Sequence, residues 1–325
     1  MTVVAPCRLH FGLFHVPVDG LTHWPNGSPL RKFGGLGMMV QEPCVRVSGL
    51  STAEFTPAVG ALSLRASRFA RIVSEKITLP DRWGSYVHIR ADGPPEHVGL
   101  GVGTALGLAV VRQARMLVSQ ATALMDSDAG MVGRGNRSGI GWHGFQHGGF
   151  IVDDGKLDDE LPRIRERIEF PPAWRIVLAR PTVSETWHGE AERFAFHRHR
   201  PAVQALDTTA RLLRLANEFV IPALKRADFE SFARSLAEFN RNAGEPFHLD
   251  QGGPYASPAV AELIDELMKW NVRGVGQSSW GPTVFAFAPN EPEAEQLAAR
   301  LRMRFPNLAD LCVTAADNQG VRVLS

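Results

Sequence analysis

Three shortages in the sequence each exclude a class of protein. The three cysteines lie far apart, so neither a disulfide framework nor a zinc cluster is predicted: Cys7, Cys44 and Cys312. The formal net charge of +1 gives no overall field that would attract nucleic acid or an anionic membrane. Arg8 and His10 interrupt the first apolar residues, and no apolar stretch approaches the roughly 20 residues of a membrane-spanning helix. We therefore expect a cytoplasmic protein that binds neither nucleic acid nor a membrane.

What the sequence does contain is typical of a globular protein with a large core. Hydrophobic residues make up 44% of its 325 positions and charged residues 21%, which suffices for one large or two medium domains. The first half of the sequence contains both alternating apolar residues, typical of strands, and apolar residues at helical spacing. The strand patterns cover residues 3–14, 44–48 and 86–89, and the helical ones cover 61–77 and 104–117.

The second half contains longer helical patterns. A strand is predicted at residues 174–179, and two long helices, broken near Pro222, are predicted at 202–239. Four further elements alternate between helix and strand: 258–270, 283–288, 291–304 and 311–315. This order predicts an α+β fold with helices on one face of a sheet. A boundary near residue 170 would give two domains, residues 1–170 and 171–325.

The glycine-rich segment Gly99-Leu-Gly-Val-Gly-Thr precedes a predicted helix and indicates an anion site. Gly99, Gly101 and Gly103 let backbone N–H groups approach an anion, and the N-terminus of the helix adds the positive end of its dipole. The residue before Thr104 is not lysine, which excludes a Walker loop, and Leu106 excludes a Rossmann fingerprint. A tight helix start without a ligand is the alternative.

A second glycine-rich segment, Gly133-Arg-Gly-Asn-Arg-Ser-Gly, carries two arginines. Arg134 and Arg137 on such a loop favour a multiply charged anion, because a guanidinium group binds phosphate through two parallel hydrogen bonds. A loop with solvated arginines is the alternative. A third segment begins at Gly274 and offers neutral donors for phosphate or carboxylate oxygens: Gln277, Ser278 and Ser279. A turn capped by hydroxyl groups is the alternative there.

Together these segments resemble the motifs of the GHMP kinase superfamily. Its first motif, Pro-x-Arg on an early strand, matches Pro6-Cys-Arg, and its second, Pro-x-x-x-Gly-Leu-Gly-Ser-Ser-Ala, matches Pro95-Glu-His-Val-Gly-Leu-Gly-Val-Gly-Thr-Ala. Its third, a glycine-rich loop before a strand, matches residues 274–287. The resemblance implies a two-domain GHMP kinase-like fold. Residues 1–170 would resemble domain 2 of ribosomal protein S5, and residues 171–325 would form a ferredoxin-like domain.

The departures from the kinase motifs argue against phosphoryl transfer. Val102 and Gly103 replace two serines that would contact phosphate or Mg²⁺, and Gly141 stands where several of these kinases place a catalytic aspartate. Four longer strings resemble a non-kinase branch, the β-ribofuranosylaminobenzene 5′-phosphate synthases. They are Arg8-Leu-His-Phe-Gly-Leu, Arg134-Gly-Asn-Arg-Ser-Gly-Ile-Gly, His147-Gly-Gly-Phe-Ile-Val-Asp and Gly276-Gln-Ser-Ser-Trp-Gly-Pro-Thr.

This resemblance implies a pentosyltransferase of tetrahydromethanopterin biosynthesis that acts as a homodimer. Members of the branch join phosphoribosyl pyrophosphate to the ring carbon of 4-hydroxybenzoate or 4-aminobenzoate and release CO₂ and pyrophosphate. The sequence does not decide between the two benzoates. A GHMP kinase acting on a small alcohol, or a protein that binds a metabolite without catalysis, are the alternatives.

The resemblance also implies roles for individual residues. Arg8, His10, Glu185, Gln277 and Ser278 would act in catalysis, with His10 touching the 4-substituent of the aromatic substrate. The phosphates would be bound by the three glycine-rich segments, through Gly99, Gly101, Gly103, Thr104, Arg134, Arg137, Ser138 and Ser279. Mg²⁺ would accompany the pyrophosphate, with ligands chosen from Thr104, Glu185 and Glu190.

Simpler roles are open for several of these residues. Trp280 would line the site of the aromatic ring or, equally, lie in the core. His10 is also explained as a core residue, and Glu185 and Glu190 as the solvated start of a helix. Asp153 and Asp154 resemble the paired acids by which ordinary phosphoribosyltransferases bind ribose. The segment after them resembles a hairpin turn instead, so we predict a turn at this position.

Overall fold

Two antiparallel sheets form the frame of the protein in this computed structural model. The structure describes residues 1–49, 60–77, 89–119, 125–158, 160–183, 194–196 and 201–324. The strands within these ranges are β1 (Thr2–Leu13), β2 (Gly35–Gly49), β3 (Ile89–Asp92), β4 (Phe150–Asp153), β5 (Ile164–Ile168), β6 (Arg175–Arg180), β7 (Val275–Gln277), β8 (Val284–Ala288), β9 (Asp310–Thr314) and β10 (Arg322–Leu324).

Helices pack on both sheets. They are α1 (Ala61–Ser74), α2 (Val102–Ser119), α3 (Asp126–Met131), α4 (Ile140–His147), α5 (Ala202–Arg214), α6 (Ile221–Lys225), α7 (Phe229–Gly244), α8 (His248–Gln251), α9 (Pro258–Lys269) and α10 (Glu291–Arg304). A π-helical turn (Leu215–Val220) joins α5 to α6, and a 3₁₀ turn (Glu245–Phe247) joins α7 to α8.

The first sheet has the strand order β10-β1-β2-β4-β5, and β3 pairs with the second half of the long β2. Strand β1, which lies between β10 and β2, buries Cys7, Leu9 and Phe11 completely in the main core. Because side chains alternate along a strand, Arg8 and His10 share the opposite face. The pairing of β1 with β2 is irregular between His10 and Gly12, a β-bulge that bends the strand at this point.

The second sheet has the strand order β7-β8-β6-β9. One face, with Ile176 and Leu178, packs into the same core as the first sheet. The other face, with Val177 and Ala179, packs against α9 and α10 in a separate core. Helices on one face of an antiparallel sheet are the predicted arrangement, and the α+β class is confirmed.

The break predicted near Pro222 lies a turn later in the structure. The helical path continues through a π-helical turn into α6, where Pro222 occupies the first turn and its missing N–H costs no hydrogen bond. The chain leaves the helix after Lys225, and Asp228 caps the start of α7 by accepting a hydrogen bond from Ser231 N–H.

The predicted domain boundary lies between the two sheets, because β5 ends at Ile168 and β6 begins at Arg175. The last strand, β10, nevertheless pairs with β1 in the first sheet. The predicted strand at residues 86–89 lies mostly outside the described residues. Among the described helices, none is long and apolar enough to cross a membrane.

Candidate active site

A cavity of about 590 Å³ lies between β1, the loop of residues 133–138, the end of α7 and the turn between β7 and β8. Its volume is in the range of small-molecule sites. Eight predicted site residues line it: Arg8, His10, Thr104, Arg134, Arg137, Ser138, Gln277 and Ser279. The cavity therefore brings together β1 and the second and third glycine-rich segments, with Thr104 from the first.

Arginines form one side of this cavity. Arg8 comes from β1, while Arg134 and Arg137 come from the loop before α4. A β-carbon added at Gly101 would lie 2.6 Å from Arg8 Cγ, and one added at Gly103 would lie 2.7 Å from Arg134 Nη2. These glycines thus admit two arginine side chains to the N-terminus of α2. Direct contact of an anion with this backbone stays a prediction.

The first glycine-rich segment is tied to its neighbours through backbone groups. Arg8 N–H donates to the Leu100 carbonyl at 3.0 Å, and the Thr283 hydroxyl donates to the Val98 carbonyl at 2.6 Å. Gly99 has a φ of +85° and a backbone conformation that favours glycine. The segment is therefore held between β1 and the turn that follows β7.

The third segment uses its polar side chains to hold this arrangement. The Ser278 hydroxyl is completely buried, accepts from His10 N–H at 3.0 Å and donates to the Gly99 carbonyl at 2.8 Å. The Gln277 amide accepts from Ala256 N–H at 2.7 Å and donates to the Ser279 carbonyl at 2.8 Å. These contacts are internal to the protein, so binding of a substrate oxyanion by Gln277 or Ser278 stays a prediction.

The arginine loop is fixed by a buried carboxylate. Asp153 at the end of β4 accepts from the Ser138 hydroxyl at 3.0 Å, from Gly139 N–H at 2.6 Å and from Gly155 N–H at 2.7 Å. Burial raises the pKa of Asp153 to about 6, although these three hydrogen bonds act in the opposite direction. Asp153 thus fixes both the arginine loop and the turn after β4; the turn was predicted and the contact with the loop was not.

Aromatic rings form the other side of the cavity. Phe247 and Trp280 are nearly buried, and their ring centroids lie 4.5 Å apart. Phe196 lies 5.5 Å from Phe247 and 5.6 Å from Trp280, and Arg137 lies over the Phe196 ring at 4.7 Å. Phe33 adds a further ring 6.0 Å from Phe196. We call Phe33, Phe196, Phe247 and Trp280 the aromatic wall.

Helix α7 closes the cavity from behind. Its Asn240 side chain donates to the Phe11 and Gln277 carbonyls at 2.7 and 2.9 Å and accepts from Gln277 N–H at 2.9 Å. Gly276 lets this amide approach β7, and Gly12 lets Ala243 approach β1, because a β-carbon at either glycine would collide with them. One helix therefore fixes the spacing of both strands at the site.

Two of the predicted site residues, Glu185 and Glu190, lie outside the described residues. Gly99, Gly101, Gly103 and Ser278 support the cavity without lining it. Sequence reasoning missed the roles of Asp153, Asn240, Phe196 and Phe247. For Phe247, a signal was available: it is an aromatic residue directly after Glu245-Pro246, close to the end of an amphipathic helix. The roles of the other three depend on contacts between segments that are distant in the sequence.

The residues described around the cavity provide few ligands for Mg²⁺. Within the described ranges there is no group of three or more His, Cys, Asp or Glu side chains with metal-ligand geometry. Thr104 and the exposed Asp19 line the cavity. Mg²⁺ commonly binds through one or two protein groups together with substrate phosphates, so Thr104 and Asp19 are the described residues that could contribute, and the metal stays a prediction.

A family model and two solved structures identify the fold of this chain. Residues 220–307 match the family model described as "GHMP kinases C terminal". Mevalonate kinase of L. major has a TM-score of 0.68 at 12% identity over 98% of this chain and 96% of that one. A putative homoserine kinase of Listeria monocytogenes has a TM-score of 0.58 at 17% identity over 100% and 99%. The chain thus has the GHMP kinase fold.

The curated relatives are not kinases. Three of them bear the name β-ribofuranosylphenol 5′-phosphate synthase. The one from Methanothermobacter thermautotrophicus is 28% identical over 90% of both chains. The one from Archaeoglobus fulgidus is 28% identical over 98% of this chain and 97% of the relative. The resemblance to this synthase branch is confirmed, and with it the prediction of an enzyme of the pentosyltransferase class that acts on small molecules.

Proposed function

We propose that this protein joins phosphoribosyl pyrophosphate to 4-hydroxybenzoate, with release of CO₂ and pyrophosphate. The name of the curated relatives contains a ribofuranosylphenol phosphate, the product that 4-hydroxybenzoate would give. 4-Aminobenzoate is the second candidate, because it differs only in the para substituent. The product would enter tetrahydromethanopterin biosynthesis, and the enzyme would be a cytoplasmic homodimer.

The main observation that supports this proposal is that one side of the cavity is cationic and the other is aromatic. Arg8, Arg134 and Arg137 provide positive charge for phosphate oxygens on one side. The aromatic wall provides a flat apolar surface for a benzene ring on the other. Arg137, which lies over Phe196, marks the junction where the ribose carbon and the ring carbon would meet.

The reaction breaks one bond at the ribose and one at the ring. As pyrophosphate leaves, the ribose C1 becomes oxocarbenium-like, and the arginines stabilise the negative charge that gathers on the leaving group. The ring carbon that bears the carboxylate attacks C1, and CO₂ departs in place of a proton. No base is needed at that carbon, which agrees with Gly141 in place of an aspartate.

The main tasks of the protein are then binding, alignment and exclusion of water. The aromatic wall would hold the ring against the ribose and keep water from the oxocarbenium-like carbon. Bound Mg²⁺ would neutralise part of the pyrophosphate charge. Thr104 and, outside the described residues, Glu185 and Glu190 are the candidates to hold it.

Release of labelled CO₂ tests the proposal directly. The protein is incubated with phosphoribosyl pyrophosphate, Mg²⁺ and carboxyl-labelled 4-hydroxybenzoate, and CO₂ and pyrophosphate are both counted. We expect equal amounts of the two products and no consumption of ATP in a parallel reaction. Phosphorylation of a substrate by ATP without CO₂ release would support a kinase instead. Binding of phosphoribosyl pyrophosphate without pyrophosphate release would support a non-catalytic protein.

A further inference from the structure

His10 on β1 lines the cavity, and its backbone is bonded to the turn that carries Trp280. It is 6% exposed and lines the cavity. The backbone N–H of His10 donates to Ser278 Oγ at 3.0 Å. The backbone carbonyl of His10 accepts from the N–H of Ser279, the residue before Trp280, at 2.9 Å. Arg8 shares its face of β1. These two hydrogen bonds fix the backbone of His10 on β1, and from this position its side chain lines the cavity.

The surroundings of His10 keep its ring uncharged. Burial, reinforced by the positive charges of Arg8 and Arg137, holds the pKa of His10 well below its usual range. A neutral imidazole has one ring nitrogen that accepts a proton. Uptake of a proton from water would add charge beside two guanidinium groups. In the free protein the lowered pKa makes His10 a weak base. The phosphate and carboxylate charges of the bound substrates would oppose the two guanidinium groups and raise this pKa, and proton transfer from a bound ligand leaves the net charge of the site unchanged.

We propose that His10 takes the phenolic proton of 4-hydroxybenzoate and later returns it, an inference that rests on the function proposed above. Loss of the proton lets the para oxygen push electrons into the ring, so the ring carbon forms its bond to the ribose C1 while pyrophosphate leaves. The bond to CO₂ then breaks, and its electron pair restores the aromatic ring and the phenolate. The His10 imidazolium returns the proton to the oxygen, and no further reactant is needed.

This role distinguishes the two candidate substrates. The nitrogen lone pair of 4-aminobenzoate enters the ring without prior loss of a proton, so it does not require a base at His10. We therefore expect His10→Gln to lower kcat/KM for 4-hydroxybenzoate by about 100-fold or more, the usual contribution of a general base. With 4-aminobenzoate the loss should stay below about ten-fold. Equal losses with both substrates would overturn the proposal.

Fluorinated substrates give a graded version of the same test. 3-Fluoro- and 3,5-difluoro-4-hydroxybenzoate ionise more readily than the parent compound, so they depend less on a base. The loss caused by His10→Gln should shrink along this series. A constant loss would contradict proton transfer to His10. His15→Asn changes a buried histidine outside the cavity and serves as the matched control.

A spectrum of the unaltered protein covers the case in which His10→Gln does not fold. Phenolates absorb at longer wavelength than phenols, so bound 3,5-difluoro-4-hydroxybenzoate should show the phenolate band below the pH at which the free compound ionises. Its absence would overturn the proposal. Failure of the proposed function would have a different signature, namely no CO₂ from either benzoate, and the binding spectrum would still test His10.

Discussion

Two glycine-rich segments border the same cavity and use their polar side chains in opposite ways. In residues 133–138, Arg134 and Arg137 extend into the cavity. In residues 274–281, the Gln277 amide and the Ser278 hydroxyl bond to protein backbone. A guanidinium group is long and has five N–H donors, while a hydroxyl group on a short side chain reaches only its neighbours. In these two segments the arginines line the cavity, whereas the side chains of Ser138, Gln277 and Ser278 bond to other groups of the protein.

The comparison separates two kinds of variant. A change in a side chain that faces the cavity should alter binding or rate and leave the free energy of unfolding nearly unchanged. A change in a side chain that holds the backbone should lower that free energy. The four predictions below test this separation, beginning with the largest effect.

Arg137→Ala should weaken binding of phosphoribosyl pyrophosphate by about 2–4 kcal/mol, because a charge-assisted contact to a buried anion is lost. Affinity for 4-hydroxybenzoate should change much less. Isothermal titration calorimetry measures both. Arg71→Ala, on the exposed side of α1, is the matched control and should leave both affinities unchanged. Equal losses for both substrates would instead indicate a shared role or a damaged fold.

Gly141→Asp should slow the synthase at least about ten-fold and should not create a kinase. A β-carbon at this position would lie 3.1 Å from Thr104 Cγ2 and 3.4 Å from Arg8 Nε. The new carboxylate would therefore pair with Arg8 and oppose the charge of the leaving pyrophosphate. Two unit charges about 4 Å apart interact by roughly 4 kcal/mol at an effective dielectric of 20, and Mg²⁺ would reduce the effect.

Gly141→Ala is the control for this change, because it adds the same β-carbon without a charge. Initial rates of CO₂ release, measured for both variants at matched stability, separate the two effects. Equal rates for the alanine and aspartate variants would show that position 141 does not act on the phosphates, and that its alignment with the kinase aspartate is wrong.

Ser278→Ala should lower the free energy of unfolding by about 1–3 kcal/mol. It leaves His10 N–H and the Gly99 carbonyl without the buried hydroxyl that now bonds to both. Urea denaturation measures the loss. Ser74→Ala removes a hydroxyl at the exposed end of α1 and should have little effect. Unchanged stability together with a large rise in KM would show that Ser278 contacts the substrate. It would contradict the assignment of Ser278 to the side chains that hold the backbone.

The smallest effect is expected at a second buried histidine, His15, which bonds through Nδ1 to the Thr209 hydroxyl at 3.0 Å. Burial and the positive charge of Lys32 lower the pKa of His15 to about 4. Because the unfolded chain binds a proton near pH 6.5, stability should fall as the pH falls through the window between 6.5 and 4.

The free energy of unfolding should therefore drop by about 1–2 kcal/mol between pH 7 and pH 5 through His15 alone, a loss that His15→Asn should remove. The buried His10 and the half-buried His143, whose pKa values are also lowered, act in the same direction in both proteins. The raised pKa of Asp153 acts in the opposite direction. Both contributions cancel in the difference. An identical pH dependence of the two proteins would contradict the prediction.

The sequence predicted those parts of the molecule that depend on local patterns. The helix at residues 291–304 has the predicted bounds, and the predicted strand at 3–14 corresponds to β1 within a residue at each end. Alternation on a strand and helical spacing are properties of neighbouring residues, so they are visible without a structure. The first glycine-rich segment was found in the same way, because clustered glycines are visible in the sequence, and Gly99 and Gly101 do have positive φ angles.

The parts that were not predicted depend on which segments meet. Ser138 was expected to bind phosphate, but its hydroxyl donates to Asp153, which follows on another element. Gly276 belongs to the segment that was predicted to offer donors to an oxyanion, and its lack of a side chain admits Asn240 from α7. The aromatic wall likewise gathers rings from four separate stretches of chain. Such contacts follow from packing over long sequence separations and leave no periodic signal.

The three hydrogen bonds of Asn240 have a mechanical consequence. They connect α7 to the carbonyl of Phe11 on β1 and to both backbone groups of Gln277 on β7, one strand from each sheet. A hinge motion between the sheets would have to break these buried bonds together, at a cost of about 1–3 kcal/mol for each group left unsatisfied. Any tilt of α7 would therefore be transmitted to both strands at once. His10 and Trp280 keep their separation, and a substrate enters a frame whose width is already set.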